Sequence, residues 1–242
     1  MSCFSMEDTF EDPPQGLLQT PRLIATVKMT PDRPVFAAAA ALAAQMAGCD
    51  LVIVRPNGHL TDPARSVRAL LEAARVSIAA DFGCAGPRSA RQLLDAGAER
   101  VVVSTEAVLH PQLVPEVIEV TGEEACLFLV DCQASAPDRV EVIDPSGRSM
   151  KIDCEDWLDQ LQALGATQVI LRPRRSMPSE LLLPLIEGRD LDVHIERPGW
   201  SFGLANALGA RGLVTEGALG CREQLEWREQ EMATRQMEVG GS

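Results

Sequence analysis

From Arg22 onward, short apolar runs alternate with stretches whose apolar residues recur at helical spacing. The runs Leu23–Met29, Leu51–Arg55, Val76–Asp81, Val101–Ser104, Cys126–Asp131, Val169–Leu171, Leu191–Ile195 and Leu213–Thr215 lack strict polar alternation. That is the pattern of parallel strands covered on both faces. Helical patterns follow them: an Ala-rich segment ending at Gly48, then Asp62–Ala74, Ser89–Ala96, Pro111–Val120, Cys154–Leu164, Ser179–Ile186, a short piece ending near Leu208, and Arg222–Met237. Short links between alternating elements imply parallel strands joined by crossovers. Eight such units predict an α/β fold, a (β/α)8 barrel; an open doubly wound sheet is the alternative. Residues 1–20 read as a disordered acidic leader, 21–237 as a single barrel domain, and 238–242 as a flexible tail.

An internal echo supports the barrel. Gly97-Ala98 leads into VVVSTEAV, and Gly209-Ala210 leads into GLVTEGAL, 112 residues later. A half-barrel repeat puts these copies at the fourth and eighth strands.

Charge narrows the range of partners. The net charge of −13 offers no general footprint for a nucleic-acid backbone or an anionic membrane surface. It leaves room for a small anionic ligand, because a local cluster can oppose the net field. Of the 22 bases, all but Lys28 and Lys151 are arginines. The seven cysteines show no C-x-x-C spacing, so neither a zinc site nor a redox motif is indicated. They are expected to be reduced, which points to the cytoplasm. MSCFSMEDTFEDPP has no base and fits neither a signal nor a transit peptide. No apolar stretch reaches the ~18–20 residues of a membrane span.

The segment RSARQLLDAGAERVVVSTEAVLHPQLVPEV (88–117) resembles the third helix and fourth strand of the histidine-biosynthesis barrels. These are the phosphoribosylformimino-aminoimidazole-carboxamide ribotide isomerase and the cyclase subunit of imidazole glycerol phosphate synthase. RLIATVKMTPDRPV (22–35) is similar to their opening strand and loop. RVEVIDPSGRSMKIDCEDWLDQLQALGATQVIL (139–171) is similar to the hairpin after the fifth strand and the sixth unit. Asp156-Trp157 leans toward the cyclase branch. The resemblance implies isomerase or lyase chemistry with two aspartates as acid and base. It also implies where this chain departs. Lys28 stands at the first-strand aspartate, and Arg174-Arg175 occupy the region of the acid after the sixth strand. DFGCAGP (81–87) and ERPGW (196–200) replace the glycine loops. Only the fifth-strand aspartate has a counterpart, Asp131.

In such barrels the C-terminal strand ends carry the site. The candidate catalytic residues are Lys28 and Asp131. Lys28 is read as electrophile, general acid or Schiff-base amine, or alternatively as a salt-bridge partner of Asp131. The candidate ligand-binding residues are Arg55, Asp81, Ser104, Thr105, Arg172, Arg174, His194, Glu196, Gly199, Thr215 and Gly217, with Arg197 and Glu216 on the same rim. Arg172 and Arg174 share a strand face, as do His194 and Glu196; Arg175 should point away. Cys84 and Cys132 lie near the rim but lack an evident base. His194-x-Glu196 lacks a third metal ligand, so no metal or cofactor is implied. His59 and His110 read as loop residues. The expected function is a divergent enzyme acting on a small phosphorylated or carboxylated metabolite. The alternatives are an inactive ligand- or partner-binding relative and a histidine-pathway isomerase or cyclase.

Overall fold

Eight parallel strands close on themselves: β1 (Arg22–Met29), β2 (Leu51–Pro56), β3 (Ile78–Cys84), β4 (Arg100–Val103), β5 (Cys126–Ala136), β8 (Gln168–Pro173), β9 (Asp192–Glu196) and β10 (Gly212–Glu216). The ring closes through Val101↔Cys126 between β4 and β5 and Arg22↔Gly212 between β1 and β10. The echoed segments are β4 and β10, the fourth and eighth staves. This computed structural model describes residues 22–226 and 229, except 31, 32, 59, 85 and 175. The leader, the tail, Arg175 and His59 therefore lie outside the described residues.

The apolar strands serve two cores. Ile24, Leu51, Ile53, Ala79, Val102, Leu127, Leu129, Ile170 and Val214 form one buried cluster, the barrel interior. The intervening side chains pack outward against α1 (Pro34–Met46), α2 (Pro63–Ala73), α3 (Pro87–Asp95), α4 (Leu113–Thr121), α5 (Cys154–Ala163), α6 (Leu183–Ile186) and α7 (Phe202–Ala207). Local signals set the boundaries. Pro stands in the first turn of α1, α2 and α3, where its missing N–H costs no helical bond. Asp62 caps α2 by accepting from the Arg65 N–H at 2.9 Å.

The stretch after β5 has no clear periodicity in the sequence, yet it forms the hairpin that the resemblance implies: β6 (Arg139–Ile143) and β7 (Ser149–Asp153) continue antiparallel from β5. The last helix begins earlier than expected. Residues 217–226 are helical directly after β10, so Gly217 and Gly220 belong to its first turns. Another expectation is corrected: Cys49 and Cys221 are joined by a disulfide, with Cα atoms 6.4 Å apart. Their separation of 172 residues hid the pair, because only barrel closure brings the turn after α1 beside the final helix. Cys84, Cys126, Cys132 and Cys154 are free and buried. Among the described residues, no helix is long and apolar enough to cross a membrane.

Candidate functional site at the C-terminal mouth

Alternation sends every second side chain of a strand inward. Following the interior cluster toward the strand ends therefore leads to Lys28, Arg55, Asp81, Asp131, Arg172, Glu196 and Glu216, a ring of three cations and four anions. Their pairing is specific. Arg55 donates through Nε to Asp81 Oδ2 at 2.5 Å and through Nη2 to Glu196 Oε2 at 2.7 Å, with Nη1 completing a bidentate fork on Glu196. Arg172 grips Asp131 in the same way, at 2.5 and 2.8 Å. Thr105 Oγ1 lies 3.0 Å from Asp131 Oδ2 and accepts from the Asp131 N–H. Lys28 Nζ donates to Glu216 Oε1 at 2.8 Å.

These pairs differ in their setting. The side chains of Arg55, Asp81 and Glu196 are 15%, 11% and 15% exposed, whereas those of Lys28 and Glu216 are 66% and 68% exposed. Burial opposes the Arg55 charge, but Glu196 and Asp81 outweigh it and hold the guanidinium above its ordinary range. Arg172 is likewise raised, with Asp131 overcoming the burial cost. Burial pushes the Asp81 carboxyl up, while Arg55 pulls it the other way. Asp81 was expected only to bind ligand; its raised carboxyl makes it a group suited to hold a proton.

A cavity of about 460 Å³ opens beside the ring, over the ends of β1, β9 and β10. Lys28, Arg55, Glu196, Gly199, Thr215 and Glu216 line it. Arg197, stacked over the Trp200 ring at 4.8 Å, forms part of its wall. Ser201 also lines it and caps α7 by accepting from the Leu204 N–H at 3.2 Å. Gly199 (φ +83°) shapes the loop after β9, and Gly217 (φ +68°), which does not line the cavity, makes the turn from β10 into helix 217–226, both with backbone conformations that side chains resist. Thr215 turns away from the barrel axis; a Cβ on Gly220 would come within 2.3 Å of its Oγ1.

Other expectations need correction. Lys28 does not meet Asp131: β1 and β5 stand on opposite arcs, so Lys28 takes Glu216 and Asp131 takes Arg172. Thr105 is buried on Asp131, and Ser104 donates to Glu106, so neither hydroxyl is directed to the cavity. Arg174 leaves the rim and lies against Gly147 in the β6–β7 turn. Among the described residues, no three His, Cys, Asp or Glu side chains are grouped to hold a metal ion.

His194 shares its strand face with Glu196 but sits two residues deeper, roughly 6.6 Å along the strand. It is 1% exposed and packs on Gly212, far below the mouth. Burial, then Arg22 and Arg100, lower its pKa to about 3. The unfolded chain thus takes up a proton below about pH 6.5 that the native imidazole refuses. Stability is therefore expected to fall as pH drops from about 6.5 toward 3, by roughly 1.4 kcal/mol per unit from this residue. Urea unfolding at pH 7 and 4.5 checks this. The wild type should lose more stability than His194→Leu, and equal losses would contradict the assignment.

One comparison with known proteins bears on this site. The family model described as histidine biosynthesis protein matches residues 56–173, from the end of β2 through β8.

Proposed function

The chain is a member of the histidine-biosynthesis-like barrel family, and from that premise we propose that it acts on a small phosphorylated or carboxylated metabolite by isomerase- or lyase-type proton transfer. The observation that carries this reading is the cavity over β1, β9 and β10, with Lys28 on its wall between the Gly199 loop and the start of helix 217–226. Barrels commonly hold phosphate in the loops after their last two parallel strands. The first turn of helix 217–226 adds backbone N–H groups that lack intrahelical acceptors.

Energetics select the mobile cation. Separating one partner from a buried pair costs about 3–5 kcal/mol, whereas an exposed pair is worth about 0–1 kcal/mol. Arg55 and Arg172 therefore keep their carboxylates, and Lys28 exchanges Glu216 for the incoming anion. The substrate's reacting carbon would lie between Lys28, as proton donor or electrophile, and Asp131 across the mouth as the carboxylate partner. Asp81 supplies a second proton-holding group.

A second reading has its own support: every mouth carboxylate is already engaged by a cation, as in a barrel that binds ligand without turning it over. The two separate by proton exchange in D2O, followed by NMR across phosphorylated sugars, aminosugars and hydroxy acids. Exchange at a carbon-bound proton, absent in Lys28→Ala, supports the enzyme. Thermal stabilisation by an anion with no exchange supports the binding protein. Expression in histidine auxotrophs lacking the isomerase or the cyclase is expected to give no growth, because Lys28 replaces an acid the ordinary reaction needs. Growth would contradict that divergence.

A further inference from the structure

The opposite end of the barrel has a charge imbalance that the mouth does not share. Inward alternation from Ile24, Val102 and Ile170 puts Arg22, Arg100 and Gln168 at the N-terminal opening. His194 lies beside them: Gly212 pairs with both Arg22 and His194, and a Cβ on Gly212 would come within 2.5 Å of His194 Nδ1 and 3.4 Å of Arg22 Cβ. Arg100 reaches over the floor to donate to Gln168 Oε1 at 2.7 Å. Its nearest carboxylate is that of Glu99, 4.0 Å from Nε. Arg22 makes no ion pair among the described residues, and neither His194 ring nitrogen has a hydrogen-bond partner there. An imidazole buried without partners costs free energy that a bound group would recover.

We propose that Arg22, Arg100, Gln168 and His194 form a small-oxyanion site at the N-terminal floor of the barrel, separate from the ligand cavity at the mouth. Two guanidiniums and an amide supply donors in the planar arrangement that oxyanions accept. The charged groups facing His194 from other strands are Arg22 of β1 and Arg100 of β4; β8 presents the neutral Gln168 and β10 presents Gly212, while Asp192, two residues before His194 on β9 and level with Gln168, pairs with Arg211 at 3.6 Å. Glu99 and Glu124 act on Arg100, where burial and Arg22 nonetheless prevail and lower its pKa. Burial is the larger cause of the suppressed imidazolium, but an anion would offset the part due to Arg22 and Arg100, so the His194 titration midpoint rises when the oxyanion binds. Binding therefore tightens as pH falls.

The test is a sulfate titration of the full chain, followed by histidine-ring NMR, with His194→Gln assigning the signal. Sulfate keeps its charge throughout the relevant pH range. The site predicts a saturable shift of the His194 ring signals and a rise of its titration midpoint by about one pH unit, a tenfold change. Arg22→Ala, an exposed position that should fold normally, abolishes both effects, and Lys28→Ala leaves them intact. The proposal is overturned if the His194 signals do not move. It is also overturned if they move identically in Arg22→Ala, or only at several hundred millimolar in every variant (an adventitious ion only).

Discussion

Arg55→Leu is expected to destabilise the protein by about 3–5 kcal/mol, the cost of leaving buried charges without their partner. Two carboxylates are affected. Asp81 and Glu196 both lie on this one guanidinium, and their side chains are 11% and 15% exposed. Asp81 already holds its proton more readily than an ordinary carboxyl because of burial. Without Arg55 it gains further reason to stay protonated at neutral pH, which relieves part of the loss. Glu196 opens onto the cavity and can recruit water. The expected loss therefore sits in the lower half of the range, with the variant's deficit relative to the wild type narrowing as pH falls below neutral. Urea denaturation at several pH values measures it. A loss below about 1 kcal/mol would mean that the Arg55 pairs behave like exposed surface pairs.

Lys28→Ala is expected to do the opposite: little to stability and nearly everything to function. Its pair with Glu216 is two-thirds exposed, so the fold should change by less than about 1 kcal/mol. Proton transfer should drop by about 100-fold or more, the usual contribution of a positioned acid or base. Lys28→Arg separates the possible roles. It keeps the cation for anion binding but cannot give up a proton at neutral pH or form a Schiff base. Binding with lost turnover in Lys28→Arg identifies chemistry at the amine; full turnover confines Lys28 to holding the anion. Full activity in Lys28→Ala would remove it from the site altogether.

The fold was legible because parallel strands covered on both faces read as uninterrupted apolar runs; Val101–Ser104 differs from the observed β4 by one residue at each end. The inward positions were legible for the same reason, since alternation from Ile53 to Arg55 or from Ile170 to Arg172 follows from the backbone. Two things were not. Alternation tells the face of a strand but not its depth, which is why His194 was grouped with Glu196 at the mouth. Which acid meets which base depends on where each strand stands around the ring. Lys28 and Glu216 are 188 residues apart yet on neighbouring strands, whereas Lys28 and Asp131 face each other across the barrel. The Cys49–Cys221 pair was hidden by the same long-range closure. The start of the final helix was misjudged locally, because Gly217 reads as a loop residue. Gly220 lies there because a side chain would strike Thr215.

On the proposed reading, Lys28 exchanges Glu216 for an anionic ligand at the cavity over β1, β9 and β10. Calorimetric titration with inorganic phosphate tests it most directly, performed in the Arg22→Ala background so that the barrel floor does not contribute. Removing the cation and removing its competitor should have opposite signs. Lys28→Ala is predicted to weaken phosphate binding by about tenfold, and Glu216→Gln to tighten it, because a neutral amide competes less for the ammonium. Unchanged affinity in both variants, or a change of the same sign in both, would contradict the exchange.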